Sequence, residues 1–142
     1  MKSTQPADSF SKQSKAALQS LINQLIIIFL PVAARNNSFI VNDVSPELNS
    51  KFDEKAVTSV INGLLHSVIY NAKESCIRIS AIEMYGKTIL VSVKDSNSFN
   101  TYGVACSLQD VVPLAQKIGG QLDITNQRQK VTTVAFRFPI AG

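Results

Sequence analysis

The sequence predicts a two-layer α/β (α+β) domain in which helices cover one face of a mixed five-stranded sheet. Three observations lead to this prediction. The chain has 142 residues, 45% of them hydrophobic, which is enough for one core and too little for two ordinary domains. Apolar residues follow the helical period in some segments and a period of two in others. These segments occur in the order helix, strand, helix, two strands, helix and two strands, which is typical of helices packed on one sheet.

The first half of the chain predicts a helix, a short strand and a longer helix. Apolar residues recur at intervals of three and four from Leu18, which predicts a helix that ends near Pro31 or one turn beyond it. Residues 38–44, SFIVNDV, predict a short strand followed by a Ser-Pro turn. From Asp53 a second helix is predicted, because its apolar residues fall within one arc at about 100° per residue. These residues are Val57, Val60, Ile61, Leu64, Leu65, Val68, Ile69 and Ala72.

Four more strands are predicted as two pairs. Residues 76–84 and 87–95 form the first pair, joined by a tight Tyr-Gly hairpin turn at residues 85–86. Residues 121–125 and 131–138 form the closing pair around a polar loop.

One more helix is predicted between these two pairs. Ser107, with Asp110 three residues on, is the predicted start, and Gly119 and Gly120 are the predicted end. Pro113 should kink this helix or delay its start, because the proline ring displaces a backbone hydrogen bond. The predicted inner face consists of Leu108, Val111, Val112, Ala115 and Ile118.

Composition indicates one domain at residues 16–142, after a tail at residues 1–15. The tail is poor in large apolar residues and rich in Ser, Lys and Gln, so we expect it to be flexible. The apolar run at residues 25–34 is shorter than the roughly 20 residues that span a bilayer, and Pro31 interrupts it. A signal peptide is disfavoured because a long polar region precedes the run. We therefore expect a cytoplasmic protein with no membrane partner.

The charge distribution and the few cysteine and histidine residues argue against two further classes of protein, namely nucleic-acid-binding proteins and zinc proteins. The net charge of +4 comes from scattered lysines and arginines without a basic run, so no nucleic-acid partner is expected. Cys76, Cys106 and the single histidine, His66, lack metal-ligand spacing, which excludes a zinc site. We expect both thiols to be reduced and buried. His66 should lie on the side of the second helix opposite its apolar face, towards solvent or a partner.

Four stretches resemble the ATP-binding domain of sensor histidine kinases, in the GHKL superfamily. They are residues 29–48, 53–68, 88–96 and 114–139, and together with the segments between them they cover about four-fifths of the chain. The resemblance implies the histidine kinase-like ATPase fold, also called the Bergerat ATP-binding fold. It also implies ATP and Mg²⁺ as the cofactors of a functional site, and a role in two-component signalling.

Residues 53–68 have the spacing of the family's N-box helix. The resemblance places Ser67 where the family has its magnesium-binding asparagine, and Gly63 where some members have a glutamate base. Mg²⁺ requires near-octahedral oxygen ligands at short distance, and a serine hydroxyl reaches less far from the helix than an amide oxygen. We therefore expect no metal site. If Mg²⁺ is bound, the candidate ligands are Ser67 and Asn71, four residues further on.

Asp95 matches the family's adenine-binding aspartate at the end of a strand. It shares parity with the apolar residues before it, so its side chain should point to the core face of the sheet. A buried carboxylate without a donor is costly. Two donors are considered, namely the amino group of adenine and the local backbone of a turn through Ser96 and Asn97.

The family's phosphate-binding glycines are represented only by Gly103. Asn97 and Phe99 stand where the family has glycines two and four residues after the aspartate, and Ala105 and Ser107 stand roughly where glycines would let backbone amides close on phosphate. The connection from the aspartate to the next predicted helix is too brief for a long lid. If nucleotide binding is retained, its residues are Asp95, Ser67, Asn71 and Gly103.

Three functions remain open at this point. The first is a degenerate, non-catalytic domain, a pseudokinase, which needs no cofactor and acts in signal transduction by binding a protein such as a response regulator. The second is a functional ATP- and Mg²⁺-binding kinase-type domain that phosphorylates a separate protein. The third is an unrelated α/β structural or ligand-binding module. The missing phosphate loop favours the first over the second, and the strand order would separate the third.

Overall fold

The computed structural model describes residues 17–141, and the predicted tail at residues 1–15 lies outside this range. Four helices and five strands occur within the described residues. They are α1 (Leu18–Arg35), β1 (Phe39–Asn42), α2 (Glu54–Tyr70), β2 (Cys76–Met84), β3 (Thr88–Asp95), α3 (Thr101–Leu108), α4 (Val112–Lys117), β4 (Gln121–Gln127) and β5 (Val131–Pro139).

The five strands form one mixed sheet in the order β1-β2-β3-β5-β4. β1 pairs with β2 in parallel, and all other neighbours are antiparallel. The hairpin between β2 and β3 turns at Tyr85 and Gly86, both with positive φ, as the sequence predicts for a tight turn. Arg128 and Gln129 make a similar turn between β4 and β5. The predicted fold class is confirmed.

The helices cover one face of this sheet. Along β3 every second residue is buried, and the same alternation continues on β5. The buried residues point to the helices because successive strand side chains point to opposite faces. Phe136 and Phe138 are the largest side chains of this layer, with ring centroids 4.9 Å apart. The candidate site lies on this apolar face of the sheet, beneath the helices.

The helix α1 continues one turn beyond Pro31, to Arg35. The carbonyl that a proline at position 31 leaves without its usual donor belongs to the exposed Ile27, where water can satisfy it. By length and by its mean hydropathy of 1.5, α1 could cross a membrane, but 44% of the helix is buried within the fold. Core helices of soluble proteins meet the same two criteria.

The helix α2 starts and packs as the sequence predicts. The Asp53 side chain caps it by accepting a hydrogen bond from the Ala56 backbone N–H at 3.2 Å. All eight residues of its predicted apolar face are buried. His66 is exposed and stacks on Tyr70, with ring centroids 4.1 Å apart, so its predicted position is confirmed.

The prediction of a single helix from Ser107 is wrong. The chain enters α3 six residues earlier, and the Asn100 side chain caps it by accepting from the Gly103 N–H at 3.0 Å. Ser107 therefore lies inside a helix. A separate helix, α4, begins at Val112 with Pro113 in its first turn, where proline is tolerated, so the predicted delay at this proline is confirmed.

The expectation of two buried thiols is also wrong. Cys76 is half-buried on the outer face of the sheet, and Cys106 is exposed on α3. A hydrogen bond with the Cys106 side chain raises the pKa of the exposed Tyr102 hydroxyl above its usual value. Both residues lie on the outer surface of α3 because the inner surface of this helix packs against α2.

Candidate functional site

Asp95 ends β3 with its side chain on the helix-covered face, as the sequence predicts. It is 1% exposed. One carboxylate oxygen, Oδ1, accepts hydrogen bonds from the Ser75 hydroxyl and, at 3.0 Å, from the Asn97 backbone N–H. The predicted turn through Asn97 is therefore present. Sequence reasoning missed Ser75, because nothing in the pattern before β2 indicates a contact with a residue 20 positions away.

The second carboxylate oxygen of Asp95 has no partner among residues 17–141. Oδ2 is buried and accepts no hydrogen bond. A buried acceptor without a donor costs about 1–3 kcal/mol, and more when it belongs to a charged group. A bound donor would remove this cost. The carboxylate thus fits the amino group of an adenine base, which is the other donor that the sequence analysis considered.

Ser67 is 1% exposed on the inner side of α2. Its hydroxyl shares a hydrogen bond of 2.8 Å with the hydroxyl of Ser107 on α3. The atom that would have to coordinate a metal therefore contacts a neighbouring helix. This contact holds α3 against α2.

Asn71, Asn100 and Gly103 form a second contact between the same two helices. Asn71 Nδ2 donates to the Ser67 carbonyl at 2.7 Å, and Asn71 Oδ1 accepts from Asn100 Nδ2 at 2.9 Å. The other end of the Asn100 amide accepts from Gly103 N–H. A Cβ at Gly103 would lie 2.7 Å from Asn71 Oδ1 and closer still to Asn100 Nδ2. Gly103 thus makes room for this asparagine pair.

Gly63 brings α4 close to α2. A Cβ at this position would lie 2.7 Å from a methyl carbon of Val111, the residue just before α4. The space next to the position where some members of the superfamily have a glutamate base is therefore filled by the Val111 side chain. No general base is available there.

The site fits one end of Mg-ATP and does not fit the other. The unpaired oxygen of Asp95 suits the adenine amino group. Ser67 and Asn71 are both engaged in contacts between helices. Within residues 17–141, no group of three or more His, Cys, Asp or Glu side chains is placed to hold a metal ion.

Hydroxyl and amide groups connect the start of α3 to the hairpin of β4 and β5. Thr132, which lies opposite Asp95 in the β3-β5 register, bonds to Ser98 at 2.7 Å and Thr101 at 2.8 Å. Asn126 donates to Thr132 at 3.0 Å. Sequence reasoning missed this cluster, because Thr132 is brought to Asp95 only by strand pairing. The cluster anchors the loop that follows Asp95.

An apolar groove of about 540 Å³ lies between α1 and the edge strand β1. Its lining includes Leu30 from α1 and Phe39 from β1, and Phe39 is 74% exposed. Ile27 and Ile28 on α1 are also exposed. Large exposed apolar groups that occur together are typical of interaction surfaces. We refer to Ile27, Ile28, Leu30 and Phe39 as the α1 surface.

Solved structures of histidine kinases have the same fold. Full-length ShkA in complex with AMPPNP matches 90% of this chain with a TM-score of 0.76 and 17% identity. The nucleotide-free catalytic domain of the histidine kinase ThkA matches 89% with a TM-score of 0.70 and 17% identity. ThkA in complex with the response regulator TrrA matches 90% with a TM-score of 0.65 and 19% identity. The predicted histidine kinase-like ATPase fold is confirmed.

This likeness covers very different shares of the solved proteins. The chain spans 31% of full-length ShkA, 42% of ThkA in its complex and 95% of the ThkA catalytic domain. No protein-family model and no curated protein matches the sequence. At these identities the likeness shows the fold, which argues against an unrelated α/β module.

Proposed function

We propose that this chain, which has the fold of a histidine kinase catalytic domain, is a pseudokinase-type domain that acts in signal transduction by binding another protein. In this proposal it transfers no phosphate and needs no Mg²⁺. Its partner is a signalling protein such as a response regulator, in the cytoplasm, and neither nucleic acid nor a membrane is involved.

The observation that carries the proposal is the hydrogen-bonded pair of Asn71 and Asn100. The pair lies between α2 and the start of α3, in contact with Gly103. Ser67 and Ser107 make a second hydrogen bond between the same helices. If Mg²⁺ were held where the resemblance places it, the Ser67 hydroxyl and the Asn71 side-chain oxygen would have to give up these hydrogen bonds to act as ligands.

The α1 surface supports a role in binding protein. Leu30 and Phe39 line the groove, and the exposed Ile27 lies one helical turn from Leu30 on α1, so large apolar side chains face solvent beside the groove. The structure of ThkA with TrrA makes a response regulator a reasonable choice of partner for a domain with this fold.

Absence of catalysis is tested with radiolabelled ATP and Mg²⁺, with and without receiver domains of response regulators from the same organism. We expect no ATP hydrolysis above the buffer rate and no labelled protein. The Ser67→Asn variant, which restores the family's asparagine, should remain inactive because the Asn71–Asn100 pair is still present. Phosphate transfer by the wild type, lost in Asp95→Asn, would contradict the proposal.

Protein binding is tested by isothermal titration calorimetry with the same receiver domains. We expect at least one to bind the wild type, and Leu30→Glu to weaken that binding at least tenfold. Ile82→Glu is the matched control, because Ile82 is similarly exposed but lies on the bare face of the sheet. Binding by no receiver domain, or equal loss in both variants, would contradict the proposal.

A further inference from the structure

The edge strand β1 has backbone groups without a partner among residues 17–141. The backbone N–H groups of Phe39 and Asp43 donate to carbonyls within residues 75–79 at 2.8 Å. Because the direction of these groups alternates along a strand, the N–H and C=O groups of Ile40 and Asn42 point away from β2. Within the described residues they make no hydrogen bond. This side of β1 can therefore pair with another strand.

The apolar groove lies beside this free edge. Ile40 lines it together with Leu30 and Phe39. Phe39 is in register with Cys76 on the outer face of the sheet, whereas Ile40 lies on the helix-covered face. A chain that follows the edge would thus contact Leu30 on one face and Phe39 on the other. A β-strand suits this arrangement because its side chains alternate between the two faces, and its backbone groups are available to Ile40.

We propose that β1 binds an extended segment of a partner protein, which becomes a sixth strand of the sheet. The inference deepens the proposed function and rests on its statement that the domain binds another protein. Backbone hydrogen bonds to the edge would hold the segment in register, and a short apolar run in the segment would cover the groove.

The other edge of the sheet is less suited to such pairing. β4 carries Asp123, which pairs with Arg137 at 3.6 Å. Charged side chains on an edge strand oppose pairing with a further chain, as proline does. β1 has the sequence FIVN and contains neither. The edge beside the groove is therefore the one open to a partner.

Arg35 determines the charge expected in the bound segment. It ends α1 next to Ala34 of the groove lining, and it is exposed. Within residues 17–141 it makes no salt bridge. An acidic residue beside the apolar run of the segment would pair with it. The β1 strand of a second copy has no acidic residue, and Asp43, which follows it, already pairs with Arg78. A partner protein therefore suits this edge better than a second copy does.

The test begins with selection of peptides from a phage-displayed library of random dodecapeptides on the immobilised full chain. Selected peptides are synthesised, and their affinities are measured by isothermal titration calorimetry. We expect them to share a proline-free apolar run flanked by an acidic residue. Selection of no peptide, or of peptides whose apolar residues follow the helical period, would overturn the proposal.

Two variants at one position connect binding to the free edge. Ile40→Pro and Ile40→Ala both lose side-chain packing, but only proline removes the N–H that points away from β2. An edge strand tolerates proline at such a position, because no hydrogen bond within the sheet is lost. We expect Ile40→Pro to bind the selected peptides about tenfold more weakly than Ile40→Ala does. Equal affinities would mean that the edge is not used.

Hydrogen exchange of the wild type, measured by NMR, does not depend on whether a variant folds. Peptide binding should slow exchange of the Ile40 N–H strongly and that of the Asp43 N–H much less, since the latter already donates within the sheet. Slow exchange at Ile40 without peptide would overturn the proposal, because the edge would then be covered already. Sedimentation equilibrium would show whether a second copy or the chain's own residues cover it.

Failure of this proposal can be told apart from failure of the proposed function. If a receiver domain binds, and binds Ile40→Pro and Ile40→Ala equally, the proposed function stands and strand pairing is wrong. If no receiver domain binds while the peptides depend on Ile40 as expected, strand pairing stands and the choice of a response regulator is wrong.

Discussion

At the scale of single residues, the Asn100 side chain connects the end of α2 to the start of α3 through two hydrogen bonds. Its Oδ1 must face the Gly103 N–H, which is a donor, so its Nδ2 must face Asn71 Oδ1. The orientation of the amide is therefore determined by two independent partners. An asparagine suits this position because it accepts at one end and donates at the other. An aspartate would serve the cap and fail at the second contact.

Substituting Asn100 separates these two roles. We expect Asn100→Asp to lower the free energy of unfolding by about 1–3 kcal/mol, because it places two acceptors against each other in a half-buried site. The control is Asp53→Asn at the cap of α2, where the side chain only accepts. This change should stay within about 0.5 kcal/mol of the wild type, since both residues cap well. Urea unfolding measures both, and equal effects would contradict this view of the Asn100 contact.

At the scale of elements, the contact between Gly63 on α2 and Val111 at the start of α4 determines how closely these two helices approach. Val111 lies where a side chain at Gly63 would be, so the two helices approach more closely than ordinary residues allow. Serine hydroxyls on α2 and α3 make the neighbouring contact at 2.8 Å. The helices that follow Asp95 thus pack directly onto α2 and do not form an open lid.

Whether Gly63→Ala lowers or raises the free energy of unfolding should depend on the side chain at position 111. In the wild type we expect Gly63→Ala to lower the free energy of unfolding by about 1 kcal/mol or more, because the new methyl group overlaps the Val111 side chain. In a Val111→Ala background the same change should stabilise by up to about 1 kcal/mol, because alanine favours a helix over glycine.

The four unfolding free energies of this double-mutant cycle give the coupling between the two positions. A coupling near zero would mean that α4 shifts away from α2 without cost.

The sheet order governs folding at the scale of the whole molecule. β5 is the last strand in the chain, yet it lies between β3 and β4. Its residues Val134, Phe136 and Phe138 are buried in the central layer. The sheet and core are therefore incomplete until the final residues of the chain are present.

A chain that ends at Lys130 should not fold. It lacks β5, which leaves β3 without its second neighbour and removes the largest buried side chains. We expect no cooperative thermal transition in its far-UV circular dichroism. A chain that ends at Pro139 is the control, because it keeps β5 and loses the packing of the half-buried Ile140 side chain and two backbone hydrogen bonds made by Ile140 and Ala141. Cooperative unfolding of the shorter chain would contradict the central role of β5.

Much of the fold was accessible from the sequence because it depends on local patterns. The helical spacing in α2, the turn at Tyr85 and Gly86, and the alternation that points Asp95 inward each involve neighbouring residues. Steric preferences of the backbone act over such distances, so the residues involved are visible as a pattern. The sequence by itself determined the five strands, the first two helices, the fold class and the direction of the Asp95 side chain.

Only the tertiary structure decided what the site can hold. Asn71 and Asn100 are 29 positions apart in the sequence and Ser67 and Ser107 are 40 apart, yet each pair is hydrogen-bonded. No periodic pattern in the sequence predicts such contacts. The need for a glycine at position 103 likewise comes from a distant residue, because a Cβ there would lie 2.7 Å from Asn71 Oδ1. Polar contacts between distant segments are selected by packing geometry, so a pattern in one segment cannot specify its partner in another.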